Sequence, residues 1–100
     1  MNDPLVDFVS ARLAEAADTA GVIRTALLAK HEELGVRAES ALKHGGATVH
    51  RAEAMVRLFE ETVRPYLWMT GPVGQVAQRQ LRILASGYAE HRDYRPEWRL

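Results

Sequence analysis

Positions 6, 9, 13, 16, 20, 23, 27, 30 and 34 advance by alternating steps of three and four, and all but one carry an apolar side chain: Val6, Val9, Leu13, Ala16, Ala20, Ile23, Leu27 and Leu34, with Lys30 the exception. That spacing lays one stripe along a helix. Leu5, Phe8, Ala17 and Leu28 widen its flank. Asp3-Pro4 is a helix opening, a capping carboxylate followed by a proline whose missing N–H is not needed in the first turn. Gly21 sits inside the stripe, but the pattern keeps phase across it, so the spacing predicts one helix over about 4–34. Unbroken, it extends about 46 Å, at about 1.5 Å per residue. A compact chain of this size has a radius of gyration of about 13 Å. The expectation is therefore an elongated bundle, or an apolar face shared with a second copy.

A break at Gly35 leads to a helix over about 36–44, with Ala38, Ala41 and Leu42 as its apolar positions, ended by Gly45-Gly46. Thr48 is placed to cap a helix over about 48–64. Its stripe is Val49, Ala52, Val56, Phe59 and Val63, broadened by Met55 and Leu58. Glu33–Arg37, Glu39–Lys43, Glu53–Arg57 and Glu60–Arg64 are acid-before-base pairs four apart, the favourable order on a helix surface. Pro65 stops or kinks that helix. Tyr66-Leu67-Trp68-Met69 then precede the breaker Thr70-Gly71-Pro72, and read as a loop whose aromatics close one end of the bundle. The sharper reading makes Tyr66 and Trp68 exposed anchors for a partner, since Trp and Tyr are enriched at binding hot spots. A last helix over about 72–87 carries Val73, Val76, Ala77, Gln80, Leu81 and Leu84, leaving 88–100 as a tail.

With 100 residues, 47% hydrophobic and 26% charged, the chain has the makings of one small folded helical domain over 1–100. No apolar run spans a bilayer and the N-terminus has acids where a secretory leader is basic, so no membrane association is expected. The absence of cysteine excludes disulfides and thiolate metal sites and points to the cytoplasm. Net charge is zero, with 8 basic and 10 acidic residues over 1–70 against 5 and 3 over 71–100. That tilt is too small for a nucleic-acid footprint. Arg79, Arg82, Arg92, Arg95 and Arg99 have Glu90, Asp93 and Glu97 among them, which favours local pairing over backbone neutralisation.

The chemistry searched for is mostly missing. His31-Glu32-Glu33-Leu34-Gly35 opens like a helical zinc-protease signature, but Gly35 stands where the second histidine belongs. His50 and Glu53 share a helix face, and two ligands do not make a metal site. Ala85-Ser86-Gly87 lacks the setting of a nucleophile elbow. Gly71-Pro72-Val73-Gly74 lacks the lysine and hydroxyl of a phosphate loop. No catalytic constellation, cofactor or metal is expected.

Leu81-Arg82-Ile83-Leu84-Ala85, leading into Tyr88-Ala89-Glu90-His91-Arg92-Asp93-Tyr94-Arg95-Pro96-Glu97-Trp98-Arg99, resembles the C-terminal signature of a family of small uncharacterised actinobacterial proteins of unknown function. There a leucine-rich turn leads to a Tyr-Ala-Asp-His-Pro-Asp-Tyr-Arg-Glu-Glu-Trp ending. The opening Asp3-Pro4-Leu5-Val6-Asp7-Phe8-Val9-Ser10-Ala11-Arg12-Leu13 is similar too. Glu90 stands for Asp, Arg92 for Pro and Pro96 for Glu. Longer members carry a cysteine-bearing insert that this chain lacks, so no zinc role transfers. The resemblance implies kinship without an activity, and marks Tyr88, His91, Asp93, Tyr94, Arg95, Glu97 and Trp98 as a tail motif.

The resulting expectation is an all-α, elongated three- or four-helix bundle, with a long N-terminal helix and an aromatic C-terminal tail packed on it. The leading function is a non-enzymatic protein–protein interaction or self-association module. Its interface candidates are Val9, Leu13, Ala16, Ala20, Ile23 and Leu27, for a protein partner or a homo-oligomer. The alternatives are a small-molecule or metal-binding protein using His31, His50 and His91 with nearby carboxylates, and nucleic-acid binding through the arginine-rich tail.

Overall fold

The computed structural model describes residues 3–33, 35 and 37–100. Among these the chain is all-α, with no strand: α1 is Pro4–Lys30, α2 is Ala38–Leu58 and α3 is Gly71–Ser86. A π-helical turn, Phe59–Val63, and a 3₁₀ turn, Arg64–Tyr66, continue α2, and a second 3₁₀ turn, Pro96–Trp98, lies in the tail. Contacts divide the chain into two compact units, one of residues 1–12 with 57–100 and the other of residues 13–56.

α1 opens as its first residues dictate. The Asp3 carboxylate accepts from the Leu5 N–H at 2.9 Å, satisfying one of the amides that a helix start leaves orphaned. The helix runs through Gly21 without interruption. It stops at Lys30 instead of Leu34, and Gly35 follows with φ +70°, a left-handed conformation that suits glycine. Leu34 and Val36, expected to end one helix and begin the next, lie outside the described residues.

The largest departure is α2. Gly45-Gly46 was expected to end a helix and Thr48 to cap another, yet one helix crosses all three positions. The Thr48 hydroxyl donates back to the His44 carbonyl at 2.9 Å, a mid-helix arrangement. Gly45 is there for space. A Cβ added to it would lie 3.1 Å from Cγ and 3.2 Å from Cα of Arg24, so α1 approaches α2 closely enough here that Arg24 would have to give way by a few tenths of an ångström. Buried Ala20 and Ala41 belong to the same unit, which is packed through small residues. Gly46 has nothing within 4 Å of its notional Cβ.

Pro65 has the expected effect by an unexpected route. A proline N has no proton to offer the carbonyl four residues back, and its ring crowds that carbonyl. The helix widens before it, and the Arg64 N–H reaches to the Phe59 carbonyl, five residues back. Phe59 and Val63 are buried by this turn. Met55 and Leu58, expected to broaden the buried face, are exposed. Of the expected ion pairs, Arg64–Glu60 forms at 3.0 Å, whereas Arg57 turns forward to Glu61 at 3.3 Å instead of back to Glu53.

In the unit of residues 1–12 and 57–100, α3 packs against the π turn and both 3₁₀ turns. Its buried hydrophobic residues are Leu5, Val6, Phe8 and Val9 from α1, Phe59, Val63 and Leu67, Ala77, Leu81 and Ala85 from α3, and Trp98. α3 buries Ala77 and Leu81 of the expected stripe, but its buried face is rotated toward Gly74 and Ala85 and leaves Val73, Val76 and Gln80 outside. At about 100° per residue, Gly74, Ala77, Leu81 and Ala85 share one side and Val73, Val76, Gln80 and Ile83 another. The first side is buried; Val73, Val76 and Ile83 are half or more exposed.

Candidate functional site

The tail is a series of tight turns. Backbone N–H groups of Tyr88, Ala89, His91, Tyr94 and Trp98 each donate to the carbonyl three residues earlier. Tyr88, His91, Tyr94 and Trp98 are themselves spaced by three, three and four residues, so turns of this pitch deliver their rings to the same place. That place is Phe8. Its ring centroid lies 6.5 Å from that of Tyr88, 5.5 Å from His91, 6.0 Å from Tyr94 and 5.1 Å from Trp98, with three of the four pairs edge-on. Tyr94 and Trp98 meet each other at 5.7 Å. Edge-to-face pairing is favoured by the ring quadrupole, at about 0.5–1.5 kcal/mol per pair beyond area burial.

Arg12, one turn after Phe8, completes the clasp. Its guanidinium lies 5.2 Å from the Phe8 centroid. Nη1 lies 2.6 Å from Nε2 and 3.1 Å from Nδ1 of His91, and 3.8 Å from the Asp93 carboxylate. The Arg12 side chain is 11% exposed, while that of Asp93 is 60% exposed. The Asp93 backbone N–H donates to His91 Nδ1 at 3.0 Å. His91 Nδ1 also lies 3.9 Å from the Asp93 carboxylate, so the guanidinium, the imidazole and the carboxylate form one cluster. Arg95 lies over Trp98 at 5.5 Å, and Glu97 is exposed.

A second surface in the same unit is the loop entering α3. Leu67 is the loop residue that is buried, and its carbonyl accepts from Gln78 Nε2 at 3.1 Å. The aromatics do not close the core as expected: Tyr66 is 41% and Trp68 60% exposed, with Met69 at 52%. Leu67, the residue that follows the 3₁₀ turn Arg64–Tyr66, is the one of the four that turns inward. Gly71 has φ +76°, and Gly74 lies so close under the loop that a Cβ on it would collide with the Met69 carbonyl oxygen. Two glycines and one side-chain hydrogen bond thus shape the course of the Trp68 loop. Below it, Leu67, Met69, Gly74, Gln78, Arg79 and Arg82 line a shallow concavity of about 390 Å³.

The other candidates are scattered. Val9, Leu13 and Ala20 are buried within the chain, Ala16 and Leu27 are half-buried, and Ile23 is 45% exposed. His50 is exposed and His31 half-buried. Among the described residues no group of three or more His, Asp or Glu side chains is placed to hold a metal ion. Nor is any described helix long and apolar enough to cross a membrane. Of the receptor of the tail, Phe8 was legible only as a flank of the helical stripe, and Arg12 only as part of the opening segment that carries the family resemblance.

No curated protein and no solved structure matches the chain. A family profile does, over residues 2–100. The chain belongs to this family, described as a family of unknown function, DUF6221.

Proposed function

We propose that the protein is a non-catalytic interaction module that binds another protein through the Tyr66–Met69 loop and the outer face of α3. The observation that carries this reading is the presentation of Trp68, 60% exposed on a loop that Gly71, Gly74 and Gln78 hold in place. A large apolar ring left in water gives up about 1.5–3 kcal/mol of burial free energy. Tyr66, Met69, Val73 and Val76 repeat that omission within a few residues. Exposed apolar groups clustered in this way mark interaction surfaces, and Trp, Tyr and Arg are the residues that dominate interface energetics. The tail motif has the opposite character, since its rings are spent on Phe8 and Arg12.

Self-association through the alanine-rich side of α1 has less to support it, because Val9, Leu13 and Ala20 are already covered within one chain. No observation favours a metal or small-molecule role for the histidines, or nucleic-acid binding by the tail arginines.

The test is a photo-crosslinking residue at position 68, introduced in cells of the source organism, with a control at the exposed Asp18. We expect a discrete protein adduct from position 68 alone, and binding of the purified adduct partner to be lost in Val76→Asp. No adduct from position 68, or the same adducts from both positions, overturns the proposal.

A further inference from the structure

The surface proposed above has a charge as well as an apolar stripe. From Thr62 through Ala89 the chain carries no acidic residue and three arginines, although its 13 bases and 13 acids balance overall. Arg64 is taken up by Glu60 at 3.0 Å. Arg79 and Arg82 are exposed, and among the described residues neither has an ion-pair partner. On α3 they lie on the side next to the Val73, Val76 and Ile83 stripe, with Arg79 bordering it.

We infer that this face takes an acidic amphipathic helix of another protein, its apolar stripe on Val73, Val76 and Ile83 and its carboxylates on Arg79 and Arg82. The inference rests on the interaction reading and supplies the chemistry of the partner. Apolar anchors at steps of three and four are how one helix reads another, and complementary charges at the edge set register and partner choice. A second copy of this chain fits worse. A two-fold contact places the same patch on itself, so the arginines of one α3 would meet those of the other without a carboxylate between them. A polyanion also fits worse. Membrane-surface segments gather about four to eight basic residues, and only Arg79 and Arg82 are available here.

The experiment displays a library of helical peptides, about 18 residues or roughly five turns long. Leucine or isoleucine occupies one stripe, and every flanking site is glutamate or lysine. The full-length protein selects from it, as do Arg79→Glu/Arg82→Glu and Val76→Asp, each checked for native helicity. We expect glutamate-flanked peptides to be enriched by the natural protein, lysine-flanked ones by the arginine double variant, and neither by Val76→Asp. Binding that Val76→Asp abolishes but that shows no glutamate preference overturns the acidic partner and leaves the interaction surface standing. No selection of any peptide overturns both. A concentration-dependent dimer abolished by Val76→Asp makes the occupant a second copy. Binding to anionic vesicles or single-stranded RNA that falls with the arginine double variant, without peptide selection, makes it a polyanion; either result overturns the inference.

Discussion

Phe8, in the second turn of α1, and Trp98, in the last 3₁₀ turn, meet with ring centroids 5.1 Å apart and are 6% and 8% exposed. This contact closes the unit of residues 1–12 and 57–100 on itself, joining the beginning of the described chain to its end. Because Phe8 also touches Tyr88, His91 and Tyr94, its removal withdraws support from every ring of the tail at once. Phe8→Ala should cost about 3–5 kcal/mol, the range for a buried phenylalanine, measured by urea unfolding. Trp98→Ala and the double variant complete a cycle, and the two losses should be well short of additive. Strict additivity would mean that the rings are neighbours without being coupled.

Arg12 separates packing from charge. Its side chain is almost covered, lies over Phe8 and reaches His91, while Asp93 stands mostly in water. An exposed carboxylate at 3.8 Å contributes about 0–1 kcal/mol. Asp93→Asn should therefore shift stability by less than about 1 kcal/mol. Arg12→Ala should cost more than that, because it removes the guanidinium and the stem packed beside it. A larger effect from Asp93→Asn than from Arg12→Ala in parallel unfolding curves would reverse this order.

The glycines make a graded series. Gly21 and Gly46 lie inside helices with nothing within 4 Å of a notional Cβ, so Gly21→Ala and Gly46→Ala should each stabilise by up to about 1 kcal/mol. Gly45→Ala has the same propensity gain set against contacts of 3.1–3.3 Å to Arg24, and should be neutral or destabilising. In Gly74→Ala the added methyl collides with the Met69 carbonyl oxygen, which no rotamer relieves, so the loop must move. That variant should lose about 1–3 kcal/mol or more in thermal melts. Equal shifts at Gly45 and Gly46 would contradict the close approach of α1 to α2.

The same glycines explain what was legible in the sequence. α1 and the start of α3 could be read because capping and proline signals are local: Asp3-Pro4 and Thr70-Gly71-Pro72 act within a turn. Gly45-Gly46 reads as punctuation although α2 crosses it, because a glycine needed for space and one needed for a left-handed turn look alike in a sequence. The buried face of α3 is rotated from the expected one for a related reason. Large apolar residues signal a core, but beside Leu81 this packing selects small ones, Gly74, Ala77 and Ala85, and leaves Val73 and Val76 outside. The tail motif stood out by composition, while its receptor, Phe8 with Arg12, is an ordinary pair of helix neighbours whose role depends on a contact across the chain.

The two tryptophans offer a final check, because they occupy opposite environments. Trp98 is 8% exposed among rings, and Trp68 is 60% exposed on its loop. In Trp68→Phe the remaining emission should be blue-shifted and resistant to iodide; in Trp98→Phe it should be red-shifted and readily quenched. Their thermodynamics should part in the same way. Trp68→Ala should change stability by no more than about 0.5 kcal/mol, as for a surface side chain that makes few contacts, whereas Trp98→Ala should lose about 3–5 kcal/mol. If Trp68 proves protected from quencher, the loop folds over its own unit and the exposed anchor on which the interaction reading stands is gone. If it is quenched freely and its removal leaves stability unchanged, the ring is displayed in water without benefit to the fold, as the interaction proposal requires.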